Sequence, residues 1–595
     1  MTEVLAKPST SQVPVLPAQR TAPPEEHDAP VVLAAPTGRS VELVSPPSDE
    51  ELYSYLGPQR RWVQWLMSVA FVLATMSLAR FSGNEWFLWP LYGVLALNLF
   101  GMVLSALSGW NRRDLTADEH FRKVRAWVRS TKVFPTVDIF LPTCGESLEV
   151  LENTYTHVGA MRWGSRVTVW VMDDADRPEV AELVKQFGYR YVVRPNRGYM
   201  AKAGNLQHAY TLSSAEIIAI FDADFCPRPD YLMHLMPYMD DPGVGIVQSP
   251  QYFGTTASMT WLERTAGATQ ELFYRWVQPS RDAVGGAICV GTCALYRRTA
   301  LDATDGFAQI AHSEDVHTGI FLLRAGYVTK YVPVVVSKGL CPDELAGFLN
   351  QQYRWCNGSI TLLRSGKAHT HPLSFRQRIC FWAGFLYYVT TAVNVFAIHV
   401  PGILMAVFFP EDVRAIHFVP FMVGMWVYFV LLPRVSVTRW RFEVLRVQAA
   451  YSFCHALAIT HKVFGRTRGW VATGAVGKSS VLSRTIAKIG LVTLSLSVVV
   501  PWIALVNDIR VYGLREFWAM TAFLAGYSYV VVPLMVEFAR ILGIVPARTK
   551  TPVDRSTTTI VENRVTWFET VACTAVLLFA AAAAMGWFNN ALIWG

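Results

Sequence analysis

Long apolar stretches on both sides of one long polar block constrain the fold of this chain more than any other feature. Stretches of about 20 apolar residues are long enough to cross a lipid bilayer as helices. The mean hydropathy of +0.27 is too apolar for a purely soluble protein of 595 residues. The sequence therefore predicts a soluble domain built into a membrane protein. The predicted spans are 63–80, 86–107, 379–409 (interrupted by Pro401), 418–432, 489–506, 517–538 and 571–588.

The apolar stretches and the polar block divide the chain into segments. Residues 1–58 are rich in Pro, Ala, Val and Ser without helical or strand periodicity, which predicts a disordered cytosolic arm. Prolines break its early apolar residues, so no signal peptide is predicted. The other predicted segments are two transmembrane helices at 59–110, a soluble domain with interfacial helices at its C-terminal end at 111–375, a second membrane region at 376–543 with an interfacial helix at 439–463 and a loop at 464–480, a basic cytosolic segment at 544–566, and a last transmembrane helix at 567–595.

Charged residues and cysteines limit the location and the partners of the chain. Basic residues cluster near one set of span ends, so the positive-inside rule places the polar block in the cytosol. The net charge of +8 is mostly close to these spans, which indicates an anionic lipid surface and no nucleic-acid partner. The nine cysteines form no Cys-x-x-Cys pair and are interpreted as reduced thiols. The basic residues are Arg60, Arg61, Arg112, Arg113, Arg439, Arg441, Arg446, Arg548 and Lys550.

The polar block alternates apolar runs with helical patterns, as a doubly wound α/β sheet requires. Strands are predicted at 137–141, 166–172, 189–193 and 216–221, and most of them end in polar or acidic residues. Ligands bind at the carboxyl ends of parallel strands, and Asp222 and Asp224 follow the last of these runs. Two such carboxylates suit a hard divalent cation that holds a diphosphate. The alternatives are a solvated turn and acidic N-caps at strand exits.

Six short motifs follow one another between residues 142 and 355. They resemble the processive family 2 glycosyltransferases, which include bacterial cellulose synthase, curdlan and mixed-linkage glucan synthases, hyaluronan synthase and chitin synthase. The resemblance implies a GT-A-type, Rossmann-like α/β domain in the cytosol, inserted in a multi-span helical membrane domain. The motifs are Pro142-Thr143-Cys144-Gly145-Glu146, Asp173-Asp174-Ala175, Ala201-Lys202-Ala203-Gly204-Asn205-Leu206, Asp222-Ala223-Asp224, Ser313-Glu314-Asp315 and Gln351-x-x-Arg354-Trp355.

The same resemblance implies a role for each motif residue. Asp315 matches the general base, with Glu314 beside it, and Asp222 and Asp224 match the ligands of Mg²⁺ or Mn²⁺. Ser313-Glu314-Asp315 could also be an acidic helix N-terminus, and the Arg-Trp pair could be an interfacial anchor. The implied nucleotide-sugar residues are Thr143, Glu146, Asp173, Asp174, Lys202 and Arg354; the implied acceptor residues are Trp355, Gln351, Gly291 and Thr292; and the gating loop would present Trp470 and Thr473.

This chain departs from the family pattern at three places. Ser313 stands where the family commonly has Thr, and residues 287–292 differ at several positions from the family segment that lines the acceptor end. In the loop after residue 464, Ala472 replaces a Val, and the expected Lys is absent at residue 475.

The resemblance implies an inverting enzyme of the plasma (inner) membrane that polymerises a UDP-sugar, UDP-glucose first among the candidates, into a β-glucan. Its expected partners are the UDP-sugar donor, the growing polysaccharide, the lipid bilayer and an accessory export subunit. Two other functions stay open at this stage. One is a non-processive transferase that adds a single sugar to a lipid. The other is a membrane transporter whose α/β domain only binds nucleotide, which would be expected to carry charged residues inside its spans.

Overall fold

A computed structural model describes residues 43–56, 62–110, 114–131, 133–254, 259–431, 443–465, 480–546 and 574. The polar block folds around a seven-stranded sheet and a small three-stranded sheet. The central strands are runs of β-branched and aromatic residues that are buried on both faces, which is typical of a sheet covered by helices. The strands are β1 (Val137–Thr143), β2 (Val167–Asp173), β3 (Arg190–Val192), β4 (Ile217–Ile220), β5 (Cys226–Pro227), β6 (Val244–Gln248), β7 (Tyr252–Phe253), β8 (Ala294–Arg297), β9 (Val328–Tyr331) and β10 (Ser337–Gly339).

The large sheet has the strand order β3-β2-β1-β4-β8-β6-β9. Strands β1 to β4 are parallel to their neighbours in this half of the sheet, which confirms the four predicted strands and their α/β arrangement. Strand β8, which was not among the predicted strands, is antiparallel to both β4 and β6, so the sheet is mixed. A short strand that follows a long excursion can pair in either direction, and its apolar pattern does not encode which one.

Helices cover both faces of the sheet and continue into the apolar part of the chain. Helix α13 begins at Leu345 and packs against α12 on one side and α17 on the other, so it joins the soluble domain to the apolar helices. The helices are α1 (Asp49–Leu52), α2 (Trp62–Ser82), α3 (Pro90–Gly109), α4 (Ala117–Ser130), α5 (Leu148–Gly159), α6 (Pro178–Gln186), α7 (Ala201–Leu212), α8 (Tyr231–Leu235), α9 (Trp261–Leu272), α10 (Gln278–Asp282), α11 (Arg298–Asp302), α12 (Glu314–Arg324), α13 (Leu345–Arg364), α14 (Phe375–Ala397), α15 (Val400–Phe408), α16 (Val419–Trp426), α17 (Val444–Val463), α18 (Val481–Tyr512) and α19 (Leu514–Ile541).

In the described part of the chain, five helical stretches are long and apolar enough to cross a membrane. They confirm the predicted spans that begin near residues 63, 86, 379, 489 and 517. The predicted span at 418–432 is helical throughout its described residues, as a 3-10 turn, α16 and a π-helical turn Val427–Leu431, and residue 432 lies outside the described residues. The predicted span at 571–588 lies outside the described residues. The five stretches are Trp62–Ser82, Trp86–Gly109, Phe375–Phe408, Val481–Tyr512 and Leu514–Ile541.

The third of these stretches bends, as Pro401 predicts. Helix α14 ends at Ala397 and α15 starts at Val400, with Pro401 in its first turn. Proline lacks the N–H group that would continue the preceding helix, so the break falls just before it. The predicted interfacial helix at 439–463 corresponds to α17, whose buried residues pack against α13, α14 and α19.

The prediction of a disordered arm up to residue 58 is wrong for residues 43–56. Ser48 caps α1 by a reciprocal pair of hydrogen bonds with Glu51, a capping box. Leu52 is only 2% exposed and belongs to the main hydrophobic core. Short segments without periodicity can be held by tertiary contacts that their own sequence pattern does not reveal.

Candidate active site

The turn after β4 presents the two carboxylates of Asp222 and Asp224. The Asp222 N–H donates to the Thr292 hydroxyl at 2.8 Å, and the Thr154 hydroxyl donates to the Ala223 carbonyl at 2.8 Å. The Phe225 N–H closes the turn on the Asp222 carbonyl at 3.0 Å. Main-chain bonds of this kind fix the direction of both side chains before any ligand arrives.

Lys202, in the first turn of α7, joins groups from distant parts of the sequence. Its ammonium lies 2.5 Å from Asp222 Oδ1, 2.9 Å from the Gly291 carbonyl and 4.0 Å from Glu314 Oε1. Burial opposes the charged form of Lys202, but the carboxylates of Asp222 and Glu314 raise its pKa above the usual value. A permanent positive charge therefore stands between the carboxylates of the β4 turn and those of α12.

The first turn of α12 carries Glu314 and Asp315 and is locked onto α13. Ser313 precedes it in the left-handed region, with φ of 56°. A Cβ atom on Gly358 would lie 2.1 Å from the Ser313 hydroxyl, so only glycine lets α13 approach this closely. The His317 imidazole reaches the Gly358 carbonyl at 3.3 Å. This contact places Arg354, one turn earlier on α13, beside the carboxylates of α12.

Gly291 and Thr292 support the carboxylates from the opposite side. Gly291 has φ of +76°, and a Cβ atom there would lie 2.9 Å from the Asp315 Cβ. Thr292 is fully buried, and its hydroxyl accepts the Asp222 N–H. The structure thus places Gly291, a predicted acceptor residue, against Asp315. It places Thr292, the other one, in a hydrogen bond with the main chain of Asp222.

Burial and mutual repulsion change the proton affinity of the carboxyls at this site. Burial, with the neighbouring Asp222, raises the pKa of Asp224 from 3.8 to about 7. Burial, with the neighbouring Glu314, raises the pKa of Asp315 from 3.8 to about 7. Burial also raises the pKa of Glu314, against the opposing effect of Lys202. Perturbed carboxyls gathered in this way are typical of catalytic and ligand sites.

Arg354 brings a second positive charge to the same carboxylates. Burial lowers the pKa of its guanidinium, and Glu314 and Asp222 act in the opposite direction. Of its α13 neighbours, Gln351 and Trp355 are half-buried, whereas the Tyr353 hydroxyl meets the His461 imidazole of α17 at 2.9 Å. Helix α13 therefore carries site residues on one face and packs against the apolar helices with another.

The acidic pair at the end of β2 has a different environment. Asp173 is fully buried and accepts the N–H groups of Ala175 at 3.1 Å and Arg177 at 2.8 Å, with the Tyr191 hydroxyl at 3.1 Å. Both oxygens of Asp174 lie 2.6 Å from the Arg194 guanidinium. Within the protein these carboxylates are already saturated with donors.

Arg194 is the main residue of the site that the sequence interpretation missed. Its side chain is fully buried, and besides Asp174 it donates to the carbonyl oxygens of Tyr199 and Ala201. A Cβ atom on Gly204 would lie 2.1 Å from Arg194 Nη1, which explains the glycine in the α7 motif. Its position shortly after β3 is the one signal in the sequence that could have revealed it. That signal is weak, because an arginine close to a strand end is usually exposed.

The other predicted donor residues flank the β4 turn. Thr143 is buried at the end of β1, and Glu146 accepts the Cys144 N–H at 2.7 Å. Burial raises the pKa of Glu146, and the Cys144 N–H opposes that effect. The Asn205 amide donates to the Met172 carbonyl at 2.8 Å, so α7 is fastened to the end of β2. The gating-loop residues Trp470 and Thr473 lie outside the described residues.

The donor set of the β4 turn fits a divalent cation together with its ligand. Among the residues that the structure describes, no group of three or more His, Cys, Asp or Glu side chains could hold a metal ion without further ligands. Asp222 and Asp224 supply hard oxygen donors, and burial, with the neighbouring Asp222, raises the pKa of Asp224, so a bound cation would stabilise its charged form. The remaining coordination positions suit diphosphate oxygens and water.

Comparison with known proteins shows which proteins this chain is similar to. Residues 217–437 match the family described as glycosyl transferase family group 2. The UDP-forming cellulose synthase catalytic subunit of Pseudomonas fluorescens (strain SBW25) is 33% identical over 308 residues, which are 50% of this chain and 40% of that protein. Cellulose synthase 1 of Komagataeibacter xylinus is 31% identical over 291 residues, which are 47% of this chain and 18% of that protein. This chain thus spans less than half the length of each of these two relatives.

Among solved structures, the mannosyltransferase PcManGT from Pyrobaculum calidifontis, in complex with GDP-Man and Mn²⁺, is 15% identical with a TM-score of 0.44, covering 63% of this chain and 99% of that one. The mixed sheet with carboxylates at its strand ends forms an α/β domain, and the five long apolar helices accompany it as candidate membrane spans. By its sequence relatives, the chain is similar to cellulose synthase-like family 2 glycosyltransferases.

Proposed function

We propose that this protein is an inverting, metal-dependent and processive glycosyltransferase. It would polymerise a UDP-sugar, UDP-glucose first among the candidates, into a β-glucan and move the polymer across the plasma (inner) membrane. The observation that carries the proposal is the position of Lys202, whose ammonium meets Asp222, Glu314 and the Gly291 carbonyl, with Asp315 and Arg354 adjacent. One positive charge thereby connects a prospective donor site with a prospective base.

The donor would lie along the carboxyl ends of β1, β2 and β4. Thr143, Glu146, Asp173 and Asp174 would line or support the nucleoside end. The saturated carboxylates of Asp173 and Asp174 favour a role in shaping this pocket. The name of the Pseudomonas fluorescens relative, a UDP-forming catalytic subunit, supports a UDP-linked donor.

Asp222 and Asp224 would hold Mg²⁺ or Mn²⁺ against the diphosphate. A cation bound there would act as a Lewis acid that polarises the phosphate oxygens and orients the donor. The Lys202 ammonium and the Arg354 guanidinium lie on the same side, and both can stabilise negative charge as it develops on the departing diphosphate.

Asp315 would act as the general base, with Glu314 beside it. It takes the proton of the acceptor hydroxyl while that oxygen forms a bond to the anomeric carbon and the bond from this carbon to the diphosphate breaks. Attack opposite the leaving group inverts the anomeric configuration. A carboxyl whose pKa is about 7 suits this role, because a base is most effective when its pKa lies near the working pH.

Helix α13 would present the acceptor end of the polymer to this base. The indole of Trp355 can stack on the apolar face of a pyranose, which positions a sugar without fixed hydrogen bonds and lets a polymer slide. Gln351 stands one turn earlier on the same helix. Because α13 packs on α17 and leads into α14, the product would leave toward the apolar helices. Trp470 and Thr473 would complete the entrance as a gating loop.

The test uses the purified full-length protein in lipid vesicles with radiolabelled UDP-glucose, UDP-N-acetylglucosamine or UDP-glucuronate and Mg²⁺ or Mn²⁺. We expect a high-molecular-weight product from UDP-glucose that linkage-specific glucanases digest, formed about 10²- to 10⁴-fold more slowly by Asp315→Asn. Label confined to a single-sugar lipid would contradict processivity. Absence of transfer from every donor would contradict the proposed reaction.

A further inference from the structure

Residues 43–56, which we call the N-terminal brace, contact α5 and the small three-stranded sheet of the soluble domain. A short segment, residues 57–61, joins the brace to α2, the first candidate span. Leu52 fixes the brace in the main core, and the Leu52 carbonyl accepts the Val335 N–H at 2.9 Å. The brace is therefore an integral part of the soluble domain, and in the sequence it precedes α2, the first candidate span.

Glu51 connects the brace to the three-stranded sheet through an ion pair and a hydrogen bond. The Lys338 ammonium of β10 lies 2.7 and 3.0 Å from its two carboxylate oxygens, and the Tyr252 hydroxyl of β7 donates to it at 3.1 Å. The side chains of Glu51 and Lys338 are 24% and 14% exposed, so water screens this pair less than a surface pair. Two of the three strands of the small sheet thus hold one side chain of the brace.

The small sheet is continuous with the Asp222-Ala223-Asp224 turn. Strand β5 starts at Cys226, two residues after Asp224, and Lys338 is paired with Cys226 across the β5–β10 ladder. The ring of Phe225, between the turn and β5, lies so close to Gly339 that a Cβ atom there would be 2.5 Å away. Movement of β10 would therefore press directly on the residue that follows Asp224.

Helix α5 provides a second connection between the brace and this turn. The Asn153 amide donates to the Val44 carbonyl of the brace at 2.8 Å and lies 3.1 Å from the Cys226 sulfur. The next residue, Thr154, is buried and donates to the Ala223 carbonyl at 2.8 Å. Two adjacent side chains thus link the brace, the turn and β5.

We propose that the brace positions Asp222 and Asp224 for the donor diphosphate and its cation, with Glu51 and Lys338 as positioning residues that touch neither. This inference rests on the proposed function, because it assigns the β4 turn to a metal–diphosphate site.

The test compares Glu51→Gln, Lys338→Met and the charge exchange Glu51→Lys with Lys338→Glu in full-length protein in lipid nanodiscs. Glu152→Gln is the matched control, because Glu152 is an exposed glutamate on α5 beside Asn153. The readouts are Mn²⁺-dependent UDP binding by calorimetry and hydrogen exchange of the amides of residues 222–227 without ligand. For each single variant we expect about 5- to 20-fold weaker binding and faster exchange, with little change in kcat at saturating donor and Mn²⁺.

The exchanged pair should regain part of the lost binding, because it restores the ion pair but not the bonds that Glu51 accepts from the Ser48 N–H and the Tyr252 hydroxyl. Unchanged binding and exchange in both single variants, with Asp224→Asn still weakening Mn²⁺-dependent UDP binding, would overturn the positioning role of the brace and leave the proposed function standing. Lower thermal stability without a change in either readout would also overturn it, since that is the result of a purely structural role. If the original protein binds no UDP with Mn²⁺, both proposals fail.

Discussion

The acidic residues at the end of β2 and those at the end of β4 look alike in sequence but have different surroundings. Asp174 meets the Arg194 guanidinium through both oxygens at 2.6 Å, and Asp173 accepts several donors. Asp224 lies next to Asp222 and has a raised pKa of about 7, as Asp315 has beside Glu314. The first carboxylates are held by donors of the protein itself, whereas the raised pKa of Asp224 and Asp315 fits the roles proposed for them with a cation and a proton.

The largest expected effect concerns the proposed base. Asp315→Asn should lower the rate of sugar transfer by about 10²- to 10⁴-fold, because the amide cannot take the acceptor proton. Initial rates with labelled UDP-glucose measure the loss, and UDP binding should remain within a few-fold of the original. Asp240→Asn, at an exposed aspartate, is the control. Wild-type rates in Asp315→Asn would remove Asp315 from the mechanism.

The next effect concerns the saturated pair. Arg194→Met leaves the Asp174 carboxylate without its partner, so we expect a loss of about 3 to 5 kcal/mol in unfolding free energy. Arg197→Met is the matched control, because the Arg197–Asp176 pair of the same loop is 3.0 Å long and 48% exposed on both sides. That control should lose less than about 1 kcal/mol. Chemical denaturation in detergent compares the two, and equal losses would contradict a scaffolding role for Arg194.

A stabilising effect is expected at the metal pair. The folded-state pKa of Asp224 is raised from 3.8 to about 7, so the folded protein holds a proton that the unfolded chain releases above pH 4. Stability is therefore lost as the pH rises from about 4 to 7, and the full cost persists above 7. Asp224→Asn should stabilise the metal-free protein by about 2 to 4 kcal/mol at pH 8, and by much less at pH 4. Equal stability of Asp224→Asn and the original protein at pH 8, by denaturation without divalent cations, would contradict the repulsion.

A smaller effect is expected in the pH profile of kcat/KM. The base must be ionised to act, and the pKa of Asp315 is about 7. The rate should therefore fall about tenfold per pH unit well below pH 7 and level off above it. A profile measured from pH 5.5 to 8.5 at saturating Mn²⁺ gives the midpoint. A flat profile across this range would show that the free enzyme has no such carboxyl in its rate-determining step.

Much of this arrangement could be predicted from the sequence. The runs before Asp173 and Asp222 have the length and apolar pattern of buried strands, and the structure has β2 and β4 there. The long apolar stretches likewise predicted the helices that could cross a membrane. These features are encoded locally, in periodicity and in the residues that end each element.

Features that depend on distant contacts could not be predicted in this way. The antiparallel direction of β8, the partner of Asp174 and the burial of Leu52 each depend on residues far away in the sequence. The contact between the Thr292 hydroxyl and the Asp222 N–H could not be predicted for the same reason, because the two residues are far apart in the sequence. A single sequence records which residues are present but not which pairs meet.

The contrast between the two carboxylate sets is tested most directly by the protons released when UDP and Mn²⁺ bind. Calorimetry in buffers of different ionisation enthalpy measures this number for the original protein and for Asp224→Asn. A pKa of about 7 for Asp224 predicts that the original protein releases about half a proton more than Asp224→Asn at pH 7. This difference should disappear above pH 8. Equal proton release by the two proteins at pH 7 would show that Asp224 gives up no proton when the cation binds. This result would contradict the division between saturated and reactive carboxylates.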